Sequence, residues 1–360
     1  MILMEIAKNI GPIEDKSVKK RIKSIDIAKS IGILLIVLGH IQNNETIAHF
    51  IYSFHVPLFF VISGYLYKKT KKPIEYIKKK AKSILVPYFV FGLISFVYWF
   101  VIERYFREQI VNPWIPFANL FLAQAGEYNF IANAALWFLP CLFCTEIIFD
   151  WLKRITKNDK MLFISIIIIT IIGVIYNELN FISLPFEFNT ALIAVSFYFL
   201  GYMWKNKFEE KFKAKVNQNW QRIIIFSICL ITTFIFSQIN NGISMYGEYY
   251  NNYFLAYSCI ILGTLSIYMI SETIAKNKIL EFIGENTLII MCIHEPIKRV
   301  LIKVISIITK VPEVTLRSNF LWVVIILILL MIILIPFILI INKYFPYFIR
   351  EKEKRTYYIS

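Results

Sequence analysis

Asp26-Ile27-Ala28-Lys29-Ser30-Ile31-Gly32-Ile33-Leu34-Leu35-Ile36-Val37-Leu38-Gly39-His40 is an apolar run carrying an acid, a base and, at its far end, a histidine. Lys29 and His40 are eleven residues apart, about three helical turns. At about 1.5 Å per residue they share one face of a helix and stand roughly 16 Å apart. Asp26 falls close to the same stripe. Ionisable side chains in an apolar membrane helix are costly and face the bundle interior or a water-filled path. The column therefore marks a site near His40, approached from the Lys29 end.

That the run belongs in a membrane follows from the whole chain. Its 360 residues are 58% hydrophobic, 17% aromatic and only 18% charged, with a mean hydropathy of +0.61. A water-soluble domain of this length lies well outside that range. Apolar segments predict ten spans, at 24–42, 50–67, 83–102, 134–152, 161–176, 188–204, 222–238, 253–270, 286–305 and 319–342. The expected fold is thus all-α, a polytopic membrane bundle of about ten transmembrane helices.

The formal net charge of +15 has to be read by position, because loop lysines and arginines orient membrane helices. With the N-terminus in the cytoplasm, 31 of the 39 Lys and Arg fall in cytoplasmic segments, so both termini are expected there. This topology signal, with attraction to anionic membrane lipids, accounts for most of the basic residues and gives no reason to expect a nucleic-acid partner. The apolar run after the polar first 23 residues has no small-residue cleavage site and reads as an uncleaved anchor. The chain divides into a cytoplasmic basic segment 1–23, one membrane domain 24–342 and a cytoplasmic basic tail 343–360. The long loop 104–133, with Pro113, Trp114 and Pro116, is expected outside.

The motif inventory is mostly negative. No Gly-rich phosphate loop, G-x-S-x-G elbow or H-E-x-x-H pattern occurs, which leaves nucleotide hydrolysis, serine-hydrolase chemistry and a zinc protease without support. Cys141 and Cys144 are spaced C-x-x-C, but the further ligands of a zinc site are missing. All five cysteines lie in apolar spans and read as packing residues, and no metal is expected.

The run from Asp26 to His40, followed by Phe54-His55-Val56-Pro57-Leu58-Phe59-Phe60-Val61-Ile62-Ser63-Gly64-Tyr65, resembles the membrane acyltransferase 3 family, most closely its fucose 4-O-acetylase-like sugar O-acetyltransferases. Further matches are Lys79-Lys80-Ala81-Lys82 before Ile84-Leu85-Val86-Pro87-Tyr88, the Leu136-Trp137-Phe138-Leu139 element, and Ile283-Gly284 through Asn286 to His294. The resemblance covers essentially the whole chain. It implies transfer of an acyl group, usually acetyl, from cytoplasmic acyl-CoA to a hydroxyl of an extracytoplasmic cell-envelope glycan, in the plasma (inner) membrane. The family commonly has Arg eleven residues before the histidine and an Arg-x-x-Arg motif later. This chain has Lys29, Lys79 and Lys82, which keep the charge but lack the bidentate fork suited to phosphate.

A sugar hydroxyl attacks a thioester readily only as its proton is removed, so the reaction wants a general base titrating near neutrality. His40 is that candidate. Direct transfer is preferred, with an acyl-imidazole as the other route. Asp26 joins the catalytic group as partner of Lys29, or serves simply as a helix N-terminal acid. Lys29, Lys79 and Lys82 are expected to meet the phosphates of acetyl-CoA, although Lys79 and Lys82 also fit the topology signal. His55, Ser63, Tyr65, His294 and Glu295 are assigned to substrate contact. Lys298 and Arg299 lie four residues after His294 and Glu295, so this group is either an internal ion-pair cluster or a wall of the transfer cavity. A transporter or exporter of a glycan or lipid-linked intermediate, without acyl transfer, is the alternative function.

Overall fold

The structure is a computed structural model and describes residues 22–107, 111–124 and 130–346. The basic end segments, apart from residues 22–23 and 343–346, lie outside the described residues, as do 108–110 and 125–129 of the long loop. The described chain is a helical bundle without a strand, and eight of its helices are long and apolar enough to cross a membrane. The two other expected spans are helical as well but differ in kind. Phe188–Met203 is only 16 residues long, and Thr287–Thr309 carries Glu295, Lys298, Arg299 and Lys303.

In chain order the helices are α1 (Lys23–Ile41), α2 (Glu45–Tyr52), α3 (His55–Tyr65), α4 (Pro73–Lys80), α5 (Val86–Val101), α6 (Trp114–Leu122), α7 (Phe138–Ile155) and α8 (Asp159–Glu178). They continue as α9 (Phe188–Met203), α10 (Glu209–Lys215), α11 (Asn219–Ile239), α12 (Tyr253–Ile274), α13 (Lys278–Glu285), α14 (Thr287–Thr309), α15 (Glu313–Ser318) and α16 (Phe320–Tyr344). Asparagine starts several of them. Asn44, Asn158, Asn252, Asn277 and Asn319 each accept a bond from the first turn of the following helix, satisfying donors that no preceding carbonyl can reach.

The span expected over 50–67 is present as Glu45–Tyr65, with a turn at residues 53–54 that divides it in two. α2 stops at Tyr52, the Ser53 hydroxyl bonds back to the Phe50 carbonyl, and α3 restarts with Pro57 in its first turn, where a missing N–H costs nothing. Tight spots hold α1, α3 and α9 in place. A Cβ on Gly64 would overlap the Tyr198 carbonyl oxygen, and one on Gly201 would overlap that of Val61, so α3 and α9 touch backbone to backbone through a reciprocal glycine pair. Gly284 of α13 meets the Asp26 carbonyl in the same way. The first helix is therefore clasped by α13 at one end, while α3, α12, α14 and α16 pack along it.

Candidate functional site

The structure gathers the far end of α1 and the middle of α14 into one polar centre inside an apolar core. His40 Nδ1 lies 3.4 Å from Glu295 Oε2, and the His40 and His294 rings meet edge-on with centroids 5.2 Å apart. Lys298 Nζ donates to both Glu295 oxygens, at 2.9 and 2.8 Å, and to the His40 carbonyl at 3.0 Å. These bonds use all three ammonium protons and tie α14 to the end of α1. Arg317 caps the same end by donating to the carbonyls of Ile41 and His40, and Tyr52 donates to that of Gly39. The backbone that carries His40 is thus fixed from three sides.

The second histidine is held differently. His294 Nδ1 sits 2.9 and 3.0 Å from the carbonyls of Ile290 and Met291, which only a donor can satisfy, so Nδ1 carries the proton. Its Nε2 is buried without a hydrogen-bond partner among the described residues and lies 4.0 Å from Glu295 Oε2. A lone pair therefore faces the space beside His40 and lacks a donor. Arg299 anchors the outer flank through Glu103 at 2.6 Å and the Ala132 carbonyl at 2.6 Å, and Arg107 closes on the same Glu103 oxygen.

His40, His294 and Glu295 offer ligand atoms within 4.8 Å of one another, a spacing that bears on a metal ion. Two imidazoles and a carboxylate are ligands that zinc sites use, but here an ammonium already stands where a cation would. The charge of Glu295 is matched by Lys298 at 2.8 Å.

Lys29 stands at the other end of the column, its Nζ 2.9 Å from Asp26 Oδ1, the pairing that the three-residue spacing allows. It lines a cavity of about 230 Å³ together with Ser63, Lys80 and Glu146, and the cavity wall also takes in Ile36 and Met291. Ile36 is one turn before His40, and Met291 one turn before His294. The cavity thus begins at two lysines and reaches residues one helical turn before each of the two histidines.

Not every residue expected at the site is there. Lys79 and Lys82 do not line the cavity, whereas Lys80 does, paired with Glu146 at 2.8 Å. Tyr65 lies on the opposite side of α3, its hydroxyl donating to both Glu209 oxygens at 3.0 and 2.9 Å. His55 is buried with Nδ1 on the Ile51 carbonyl, and its ring packs against that of Tyr52, 5.1 Å away.

The sequence reading missed Lys80; the signal that could have found it is the apolar Tyr76 and Ile84 four residues to either side, both of which the structure buries. Glu146 carried the signal of any acid within an apolar span.

Fold and site together define a polytopic helical membrane protein with paired histidines and a carboxylate close to a lysine-lined cavity. The Acyl_transf_3 family, described as an acyltransferase domain, matches residues 22–341, so the chain belongs to that family and is a membrane acyltransferase. No curated protein and no solved structure matches it.

Proposed function

We propose that the protein is an O-acyltransferase, in the simplest case an O-acetyltransferase, which takes its acyl group from cytoplasmic acyl-CoA and passes it to a hydroxyl of an extracytoplasmic cell-envelope polysaccharide or sugar. The observation that carries this reading is the cavity that starts at Lys29 and Lys80 and reaches Ile36 and Met291, one turn before His40 and His294. Its lysines suit the phosphates of coenzyme A, and its apolar upper part suits a pantetheine arm delivering the thioester to the imidazoles. In this reading the Lys29 end is cytoplasmic and both termini lie on that side of the plasma membrane, which the bias of basic residues supports. Asp26 keeps Lys29 in place rather than touching the reacting atoms, and Lys79 and Lys82 supply basic charge at the entrance.

In the reaction, Glu295 accepts from His40 Nδ1–H, leaving Nε2 as the base. As the acceptor oxygen attacks the thioester carbonyl carbon, its proton moves to His40 Nε2. The carbon–sulfur bond then breaks, and the departing thiolate takes that proton back from the imidazolium. His294 Nε2 offers the acceptor a hydrogen-bond acceptor with no partner of its own, and Ser63 lies along the donor path. His55 and Tyr65 support α3 rather than bind substrate. Purified protein given radiolabelled acetyl-CoA and envelope polysaccharide should place label on the glycan. Movement of unacetylated glycan across proteoliposomes without label transfer would favour a transporter.

A further inference from the structure

A second cavity, of about 190 Å³, lies on the other side of α3, with Ala28, Leu58, Leu200, Ile261 and Thr264 in its wall. Ile62 alone belongs to the walls of both cavities, so the two stand back to back. Beside this second cavity α9, pinned to α3 at Gly201, passes into a π-helical turn at Trp204–Phe208, and both Trp204 and Phe208 belong to the cavity wall. An apolar void of about 150 Å³ stays dry and takes up hydrocarbon. Ile261 and Phe208, 46% and 53% exposed, leave this one open toward the surrounding bilayer.

The mouth is polar, with lysines and carboxylates side by side. Tyr65 and Tyr268, both in the cavity wall, direct their hydroxyls to Glu209. A lysine stands over each ring: Lys205 Nζ lies 4.6 Å from the Tyr65 centroid, and Lys213 Nζ 5.7 Å from that of Tyr268. Lys213 is matched by Glu209 and Glu272, whereas Lys205 has no carboxylate in ion-pair range among the described residues. Lys207 in the same segment is paired with Asp159 at 3.0 Å, which leaves Lys205 as the cation for an anionic headgroup.

We propose that this cavity is a lipid site, holding one acyl chain of an anionic glycerophospholipid with its phosphate at Lys205. A dry hydrocarbon slot open to the bilayer and ending under an unneutralised ammonium matches a tail joined to a phosphate. A zwitterionic headgroup would bring a second cation to the same place. The assignment is independent of acyl transfer at His40.

The test uses the full chain purified in detergent, exchanged into phosphatidylcholine and titrated with phosphatidylglycerol, with bound lipid counted by native mass spectrometry. The expected result is one retained phosphatidylglycerol, preferred over phosphatidylcholine. Lys205→Gln should lower that preference about fivefold while leaving the folded protein intact, and Thr264→Phe, which fills the slot, should remove retention of both lipids. Equal retention of the two lipids by the unaltered protein would overturn the proposal. So would an unchanged preference in Lys205→Gln, or competition by glycerol phosphate without a tail.

Discussion

Replacing Glu295 by Gln keeps the shape of the side chain and removes its charge. The structure allows the consequences for stability and for rate to be separated. Lys298, only 5% exposed, loses its counter-charge but keeps the His40 carbonyl and an amide oxygen as acceptors. Arg299 keeps Glu103 and Ala132. Full orphaning of a buried charge costs about 3 to 5 kcal/mol; because both cations retain acceptors, the loss should be smaller, about 1 to 3 kcal/mol, and the protein should still fold. The rate should suffer more. Only a carboxylate must accept from His40 Nδ1–H; an amide can turn its NH2 to that nitrogen, which moves the imidazole proton to Nε2 and blocks the base. General-base catalysis contributes about 10² to 10⁴ in rate, so a thousandfold drop, about 4 kcal/mol in barrier, is expected. Single-turnover transfer at saturating acetyl-CoA, with donor binding measured separately on the same preparation, reads both effects. Transfer within threefold of the unaltered protein, from variant of equal abundance, would refute the role given to Glu295.

Lys29→Ala and Lys80→Ala should each raise the apparent KM for acetyl-CoA by roughly tenfold, since charge-assisted contacts are worth about 1.5 to 3 kcal/mol; unchanged donor kinetics would take the lysines out of the donor path. Gly201→Val should reduce folded yield and thermal midpoint sharply, because its side chain has to push α9 off the Val61 carbonyl, and a normal melting curve would contradict the backbone contact. Burial would raise the Glu209 carboxyl, but hydrogen bonds from Lys213, Tyr268 and Tyr65 outweigh it and hold it below its ordinary value. Its stabilising contribution is therefore present above the unfolded carboxyl range and lost as pH falls through the folded value. Glu209→Gln should cost about 1 kcal/mol near neutral pH and progressively less in acid, as read from melting midpoints across a pH series.

The membrane character and the helical fold were legible because apolar runs of bilayer length have few other uses. The breaks were harder to see. The stop at Ser53 depends on a hydroxyl folding back to Phe50, and the short α9 ends where the chain enters a π-helical turn; neither interrupts the hydrophobic pattern. The spacing of Asp26 and Lys29 gave their pairing directly, since three residues on a helix already bring side chains together. His294 and Glu295 could be flagged as charge and imidazole in an apolar span, but their meeting with His40 is a long-range contact between helices that local spacing cannot encode. Lys80 stands in a run of lysines whose charge alone does not tell the inward one from Lys79 and Lys82; the apolar Tyr76 and Ile84 on its stripe are the signal that does. Tyr65 shares α3 with Ser63 but lines the other cavity, because residues two apart on a helix do not face the same side.

The most direct measurement of the central claim is acetyl transfer by His40→Ala, with acetyl-CoA binding measured in parallel. If His40 is the base, transfer should fall by roughly 10² to 10⁴ while donor binding, controlled by the lysines at the far end of the cavity, stays close to that of the unaltered protein. A His40→Ala protein that labels glycan at near the normal rate would contradict the account.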